Sequence, residues 1–172
     1  MATRLRSRPV VRAAADPMTG SVPPQPPVDA PTASPVREWR IASDVVLIQS
    51  IVEAIVLLCR EAGFSARHCQ LNVPVAVTEA LANAIVCANG SDRTLFVQVR
   101  ATVDRERLTV EVIDEGCGFD LASVEQGPDQ ADWLEREDGR GVFLMRQLMD
   151  HVDSLPPAAG AGHCVRLTLR RT

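Results

Sequence analysis

The stretch that most constrains this chain is residues 77–90, Val-Thr-Glu-Ala-Leu-Ala-Asn-Ala-Ile-Val-Cys-Ala-Asn-Gly. It is rich in strong helix formers and closes on Asn-Gly, a helix stop, so one helix is predicted here. Ala80, Leu81, Ala84, Ile85 and Val86 are expected to bury most of its surface. Glu79 and Asn83 stand four apart on that apolar background and project from one face. A carboxylate and an amide so placed either pair with each other or do chemistry. The chemical reading gives Asn83 a magnesium ion and makes Glu79 a base.

Composition bounds the alternatives. With 172 residues, 46% of them hydrophobic, the chain has enough for one ordinary core. Two Trp, four Phe and no Tyr argue against a base-stacking surface, and a net charge of −4 gives no attraction to nucleic acid. All 18 basic residues are Arg, which excludes a P-loop, whose phosphates need a Lys. Cys59, Cys69, Cys87, Cys117 and Cys164 are scattered without a Cys-x-x-Cys, and His68, His151 and His163 lie far apart. That favours buried thiols in a reducing cytoplasm over a disulfide framework or zinc site. No apolar run reaches the length of a membrane span and no secretory signal is read, so a cytoplasmic location without membrane contact is expected.

Residues 1–36 hold eight of the 12 Pro and carry a formal charge of +2, which reads as a disordered or partly polyproline tail. The ordered domain is expected over 37–172. A short strand is predicted at Glu38–Ile41, then an apolar helix from about Asp44 to Ala62 with Ser43 as its N-cap and Gly63 as its end. Ser65 opens a short turn of helix. Pro74 belongs in a first helical turn, so the Glu79–Asn83 helix should begin near Asn72 or Val73. Alternating residues predict strands at 94–101 and 107–114, joined by a turn at Asp104-Arg105-Glu106. The irregular, acidic segment 120–138 has the marks of a lid. Gly139-Arg140-Gly141 opens a helix expected over Val142–Val152, and a Gly-rich helix entry suits an anion. A final hairpin spans Val152–Leu155 and His163–Arg170. Hairpin-joined strands outnumber helices, which predicts an α+β fold: a two-layer sandwich of a mixed, mostly antiparallel sheet with helices on one face.

Each motif alone is weak, but three occur in a telling order. Thr78-Glu79-Ala80-Leu81-Ala82-Asn83-Ala84-Ile85 resembles the N-box of the GHKL group of ATP-binding domains, which includes gyrase, histidine kinases, a heat-shock chaperone and mismatch-repair proteins. Asp114-Glu115-Gly116-Cys117-Gly118-Phe119 is similar to the first glycine box, and Gly139-Arg140-Gly141-Val142-Phe143-Leu144-Met145-Arg146-Gln147-Leu148-Met149-Asp150 to the second. Within the group the resemblance is closest to bacterial anti-sigma regulatory factors that are serine protein kinases. It covers about residues 38–171 and implies the histidine-kinase-like ATPase fold.

The resemblance also implies roles. Asn83 would give its side-chain oxygen to Mg2+, and Glu79 would orient or deprotonate the attacking hydroxyl. Asp114 would accept from the adenine amino group of ATP, with Gly116 and Gly118 letting the backbone pass the base and sugar. Gly139 and Gly141 would let the amides of the helix opening at Val142 meet the phosphates, and Arg140 would neutralise the γ-phosphate. Three positions depart from the pattern: Cys87 stands where a His is usual, Gly162-His163 where a Gly-Thr pair is, and Pro74 lies unusually close upstream of the N-box.

The function so implied is an ATP-dependent serine/threonine protein kinase and anti-sigma factor in a partner-switching circuit. It would bind a sigma factor and phosphorylate a Ser of an anti-anti-sigma protein of STAS fold. The apolar first helix fits a homodimer. The alternative is a non-catalytic ATP/ADP-binding module that controls a partner through the 120–138 lid. A histidine-kinase catalytic domain is disfavoured because residues 1–36 cannot supply a phosphoacceptor hairpin. Cysteine chemistry is disfavoured because no Cys has a partnered base nearby in sequence, His68-Cys69 being read as structural.

Overall fold

The computed structural model describes residues 36–116, 140–155 and 162–171. Five strands form one antiparallel sheet: β1 (Val36–Ala42), β2 (Phe96–Val103), β3 (Arg107–Ile113), β4 (His151–Leu155) and β5 (Cys164–Arg170), in the order β1-β2-β3-β5-β4. Three helices, α1 (Ile48–Glu61), α2 (Val73–Ala82) and α3 (Arg140–Leu148), accompany it. The α+β expectation holds, with every strand pair among the described residues antiparallel.

Alternation builds the core. Val97, Val99 and Ala101 of β2, Leu108, Val110 and Val112 of β3, and Val165, Leu167 and Leu169 of β5 are buried in one cluster with residues of all three helices. From α1 come Ile51, Ile55 and Cys59; from α2, Val73, Val77, Ala80 and Leu81; from α3, Val142 and Met145. Alternate residues point to the sheet's other side, which the described helices leave open.

The Asp104 turn forms as expected, its Oδ1 accepting from the amides of Glu106 (2.7 Å) and Arg107 (2.8 Å). Gly63 ends the first helix at φ +78°, where a residue with a Cβ would be strained. Several boundaries differ from the sequence reading. Asp44, not Ser43, caps the first helix, which enters through a 3-10 turn at Val45–Leu47; Asp44 Oδ1 accepts from the Val46 amide at 3.2 Å. The third helix stops at Leu148 rather than Val152, because the chain turns into β4 at His151 and Asp150 Oδ2 accepts from the Arg170 amide at 2.6 Å.

The largest departure concerns α2. It is the middle of a continuous helical run, preceded by a π-helical turn at His68–Asn72 and followed by another at Asn83–Ala88. Pro74 therefore does not begin a new helix. Its missing N–H falls beside a widened turn, which is how a helix absorbs an interior proline. The run His68–Ala88 is long and apolar enough to cross a membrane, with a mean hydropathy of 1.5. Here its apolar residues Val73, Val77, Leu81 and Ile85 form the core instead. Val86, expected to be buried, is 48% exposed, since the π-helical turn shifts it off the covered face.

Candidate functional site

Glu79 lies in the second turn of α2 and Asn83 follows its end, where the π-helical turn begins. They do not satisfy each other. Asn83 Nδ2 is buried and, among the described residues, has no hydrogen-bond partner. A buried amide of this kind is unfavourable unless something else meets it. Glu79 instead reaches α3: a Cβ placed on Gly141 would stand 2.5 Å from Glu79 Oε2, so a side chain there would displace the carboxylate. The carboxylate thus lies in the first turn of α3, where a helix favours negative charge. Val142 anchors that turn at 1% exposure, and Arg140, the first residue of α3, is exposed.

Asp114 follows the last residue of β3 and is 3% exposed. Its amide donates to the His163 carbonyl at 3.0 Å and its Oδ1 accepts from the Gly116 amide at 3.1 Å. Burial pushes its carboxyl above the ordinary carboxylate range, and the neighbouring His163 and the Gly116 amide pull it back. Gly116 is required for a reason other than the one expected. A Cβ there would overlap the carbonyl of Ala88, so the close approach is to the end of the α2 run, locking the glycine box onto it. Gly118, Gly139, Cys117 and the 120–138 segment lie outside the described residues.

The structure therefore brings α2, the end of β3 and the start of α3 together through two glycines. Asn89, which the sequence offered only as a helix stop, holds the corner. It is buried at 3% exposure; its Nδ2 donates to Ser43 Oγ (2.8 Å) and the Phe96 carbonyl (3.1 Å), and its Oδ1 accepts from the Glu115 amide (3.2 Å). One side chain thus ties the α2 run to β1, β2 and the glycine box. Glu115, beside Asp114, faces away: its carboxylate accepts from the Phe96 amide (2.9 Å) and Arg40 (3.3 Å). His163 was visible in the sequence only as a departure. Its Nε2 lies 2.5 Å from Ser154 Oγ, and its Nδ1 is buried without a partner among the described residues.

Cys59, Cys69 and Cys164 are buried, and burial beside Cys69 pushes the Cys59 thiol up to about 12, where it stays protonated. Cys87 is exposed. The open side of the sheet carries a hollow of about 560 Å3 lined by Arg100, Thr109, Glu111, Arg166 and Thr168. Its lining is polar and ion-paired, and it lies across the sheet from Asp114, so we take it as solvated sheet surface. No three His, Cys, Asp or Glu side chains come together as a metal cage among the described residues.

A helix carrying Glu79 and Asn83, set against a glycine-opened helix and a strand-end Asp, defines a class. Residues 41–169 match the model of the histidine kinase-like ATPase domain, and the chain belongs to that family. It is 36% identical over 86 residues to the serine-protein kinase RsbW of Bacillus licheniformis, covering 47% of this chain and 54% of that protein. It is 34% identical over 100 residues to the anti-sigma F factor of Caldanaerobacter subterraneus subsp. tengcongensis, covering 56% of this chain and 67% of that one. The chain spans about half the length of the serine-protein kinase relatives it matches. Among solved structures it is similar to the histidine kinase domain of a blue-light activated histidine kinase from Erythrobacter litoralis EL346, with a TM-score of 0.44 and 22% identity over 75% of this chain and 61% of that one.

Proposed function

We propose that residues 37–172 are an ATP-dependent serine/threonine protein kinase. It acts in the cytoplasm as an anti-sigma factor and phosphorylates a Ser of an anti-anti-sigma protein of STAS fold. Residues 1–36 would be a tail outside the kinase domain. The reading is supported by the family and by the names of its relatives, a serine-protein kinase and an anti-sigma factor. The observation that carries it is the meeting of Glu79 with Gly141: the base sits in the helix turn proposed to take the phosphates.

In this reading Asp114 accepts from the adenine amino group, and its low-dielectric setting strengthens that bond. Gly116 and Gly118 shape the loop beside the base. The first amides of α3, opened by Gly139 and Gly141 and held by buried Val142, hold the phosphates, with Arg140 as counter-charge. Glu79 orients the attacking serine hydroxyl and takes its proton. A magnesium ion would be held through the Asn83 side-chain oxygen, Asn83 Nδ2 having no hydrogen-bond partner among the described residues and so not fixing the amide from its other end. Mg2+ would neutralise phosphate charge there, and it asks for few protein ligands because it keeps waters and phosphate oxygens. Val45, Val46 and Leu57, exposed on and just before α1, supply apolar surface for a homodimer.

The test begins with a pull-down from the native host, then incubation of each captured protein with labelled ATP and magnesium. Label on a Ser of a captured partner is expected, and its loss in Glu79→Ala with nucleotide binding retained assigns the base. If no partner gains label on Ser or Thr, the kinase reading fails and the non-catalytic module takes its place.

A further inference from the structure

Helices α2 and α3 meet at two points whose spacing is the same on both. At one end Glu79 lies against Gly141, in the first turn of α3. At the other is Asn72, which closes the π-helical turn before α2. Its Nδ2 donates at 2.6 Å to the carbonyl of Leu148, the last residue of α3. The two contacts are about two turns apart along each helix, so the helices run antiparallel and in register. The catalytic end of the pair and the Asn72 end are therefore opposite ends of one rigid contact.

The chemistry of the Asn72 contact favours placement over stability. The last carbonyls of a helix have no partner within it and carry partial negative charge, so a donor suits the Leu148 carbonyl. Only the nitrogen of the amide can face a carbonyl, which fixes the side chain and turns Oδ1 away. Asn72 is buried, and its Oδ1 is left without a partner among the described residues. A bare buried acceptor is unfavourable, and an apolar side chain would avoid it. We propose that Asn72 is a positioning residue for the phosphate-binding turn: it stops α3 sliding along α2 and so holds Gly141 and the first amides of α3 at Glu79. This rests on the reading that those amides hold the phosphates of ATP. A slip of one residue moves a helix by about 1.5 Å, enough to take the amides off the phosphates and Gly141 off Glu79. Asn72 stands about two turns from Glu79 and acts only through α3.

Titration of the full chain with ATP and with AMP, each with magnesium and followed by NMR so that weak binding is read as well as tight, tests this. AMP carries the base and sugar but lacks the outer phosphates. Asn72→Asp keeps the size of the side chain and removes the donor, and Asn72→Ala removes both. Each variant should bind ATP about five- to tenfold more weakly than the unmodified chain, the worth of one buried hydrogen bond, and bind AMP as that chain does. A merely structural role would weaken both nucleotides alike or neither, and either result in folded variants overturns the proposal. Should the variants not fold, the unmodified chain decides. Its Asn72 side-chain amide signal should shift on adding ATP and not on adding AMP, and a signal indifferent to ATP overturns the proposal. A chain that binds no ATP, or binds AMP as tightly as ATP, refutes the phosphate reading itself, and this one with it.

Discussion

The two faces of the sheet are made from alternate residues of the same strands, yet they follow different rules. The covered face is a continuous apolar layer that ends, at one rim, in Asp114 and His163. The open face is arranged in rows that cross the sheet in register. Glu38, Arg100, Glu111, Arg166 and Asp153 occupy successive strands, so charge alternates from edge to edge. Arg166 donates to Glu111 at 2.7 and 2.9 Å and Arg100 donates to Glu38 at 2.7 Å. The adjoining row holds Thr102, Thr109 and Thr168. The covered face draws stability from buried area and tolerates little change, whereas the open face pairs charges in water, where each pair is worth little. The proposed site lies where the covered face runs out and polar groups become enclosed.

The largest break in this comparison should come from neighbours on β5. Leu167→Ala, at a site with 0% exposure, should lower stability by about 2–5 kcal/mol. Thr168→Ala on the open face should stay within about 0.5 kcal/mol, both read from denaturant midpoints. Comparable losses at the two positions would show that the faces are not energetically distinct.

Next is Gly116→Ala. It forces a methyl against the Ala88 carbonyl and should cost about 1–3 kcal/mol while also weakening ATP binding. Unchanged stability would mean that the glycine box is not locked to the helix.

Glu111→Gln removes the charge between Arg100 and Arg166 and should cost about 1 kcal/mol or less, with the difference shrinking in high salt. A loss that salt does not change would point to packing instead.

The smallest effect should come from Asp114→Asn without nucleotide. Burial raises the native carboxyl above its unfolded value, so the folded chain binds more protons across that window and its stability falls as pH rises through it. Asp114→Asn should remove this slope and leave the nucleotide-free protein slightly more stable at neutral pH, seen in thermal unfolding against pH. A variant less stable than native there would show that the charged carboxylate is favoured by its surroundings.

What the sequence made legible was local or periodic. Period-two alternation at 94–101 and 107–114 gave the strands and their buried faces, the first lying two residues further on at Phe96–Val103, and Asp104 gave the turn. What it hid depended on distant partners. Ser43 reads as a helix cap, but it is 1% exposed because its Oγ donates to the Leu95 carbonyl at 3.1 Å and accepts from Asn89. Asn89 reads as a stop because nothing nearby reveals its three partners. The π-helical turns around α2 leave no mark in a pattern read at 3.6 residues per turn, though Pro74 was a hint that the ladder there is irregular. Glu79 and Asn83 could be placed on one face from spacing alone. That they leave each other unbonded, with Glu79 against Gly141, required the third dimension.

On this account Asn83, whose Nδ2 has no partner among the described residues, serves a magnesium–nucleotide site through its side-chain oxygen. Calorimetric titration of ATP into the native chain and Asn83→Ala, each with magnesium and with chelator, tests this most directly. Native protein should bind ATP markedly more tightly with magnesium, and Asn83→Ala should bind equally weakly in both conditions while remaining folded. A magnesium dependence that survives in Asn83→Ala, or its absence in the native chain, would contradict the account.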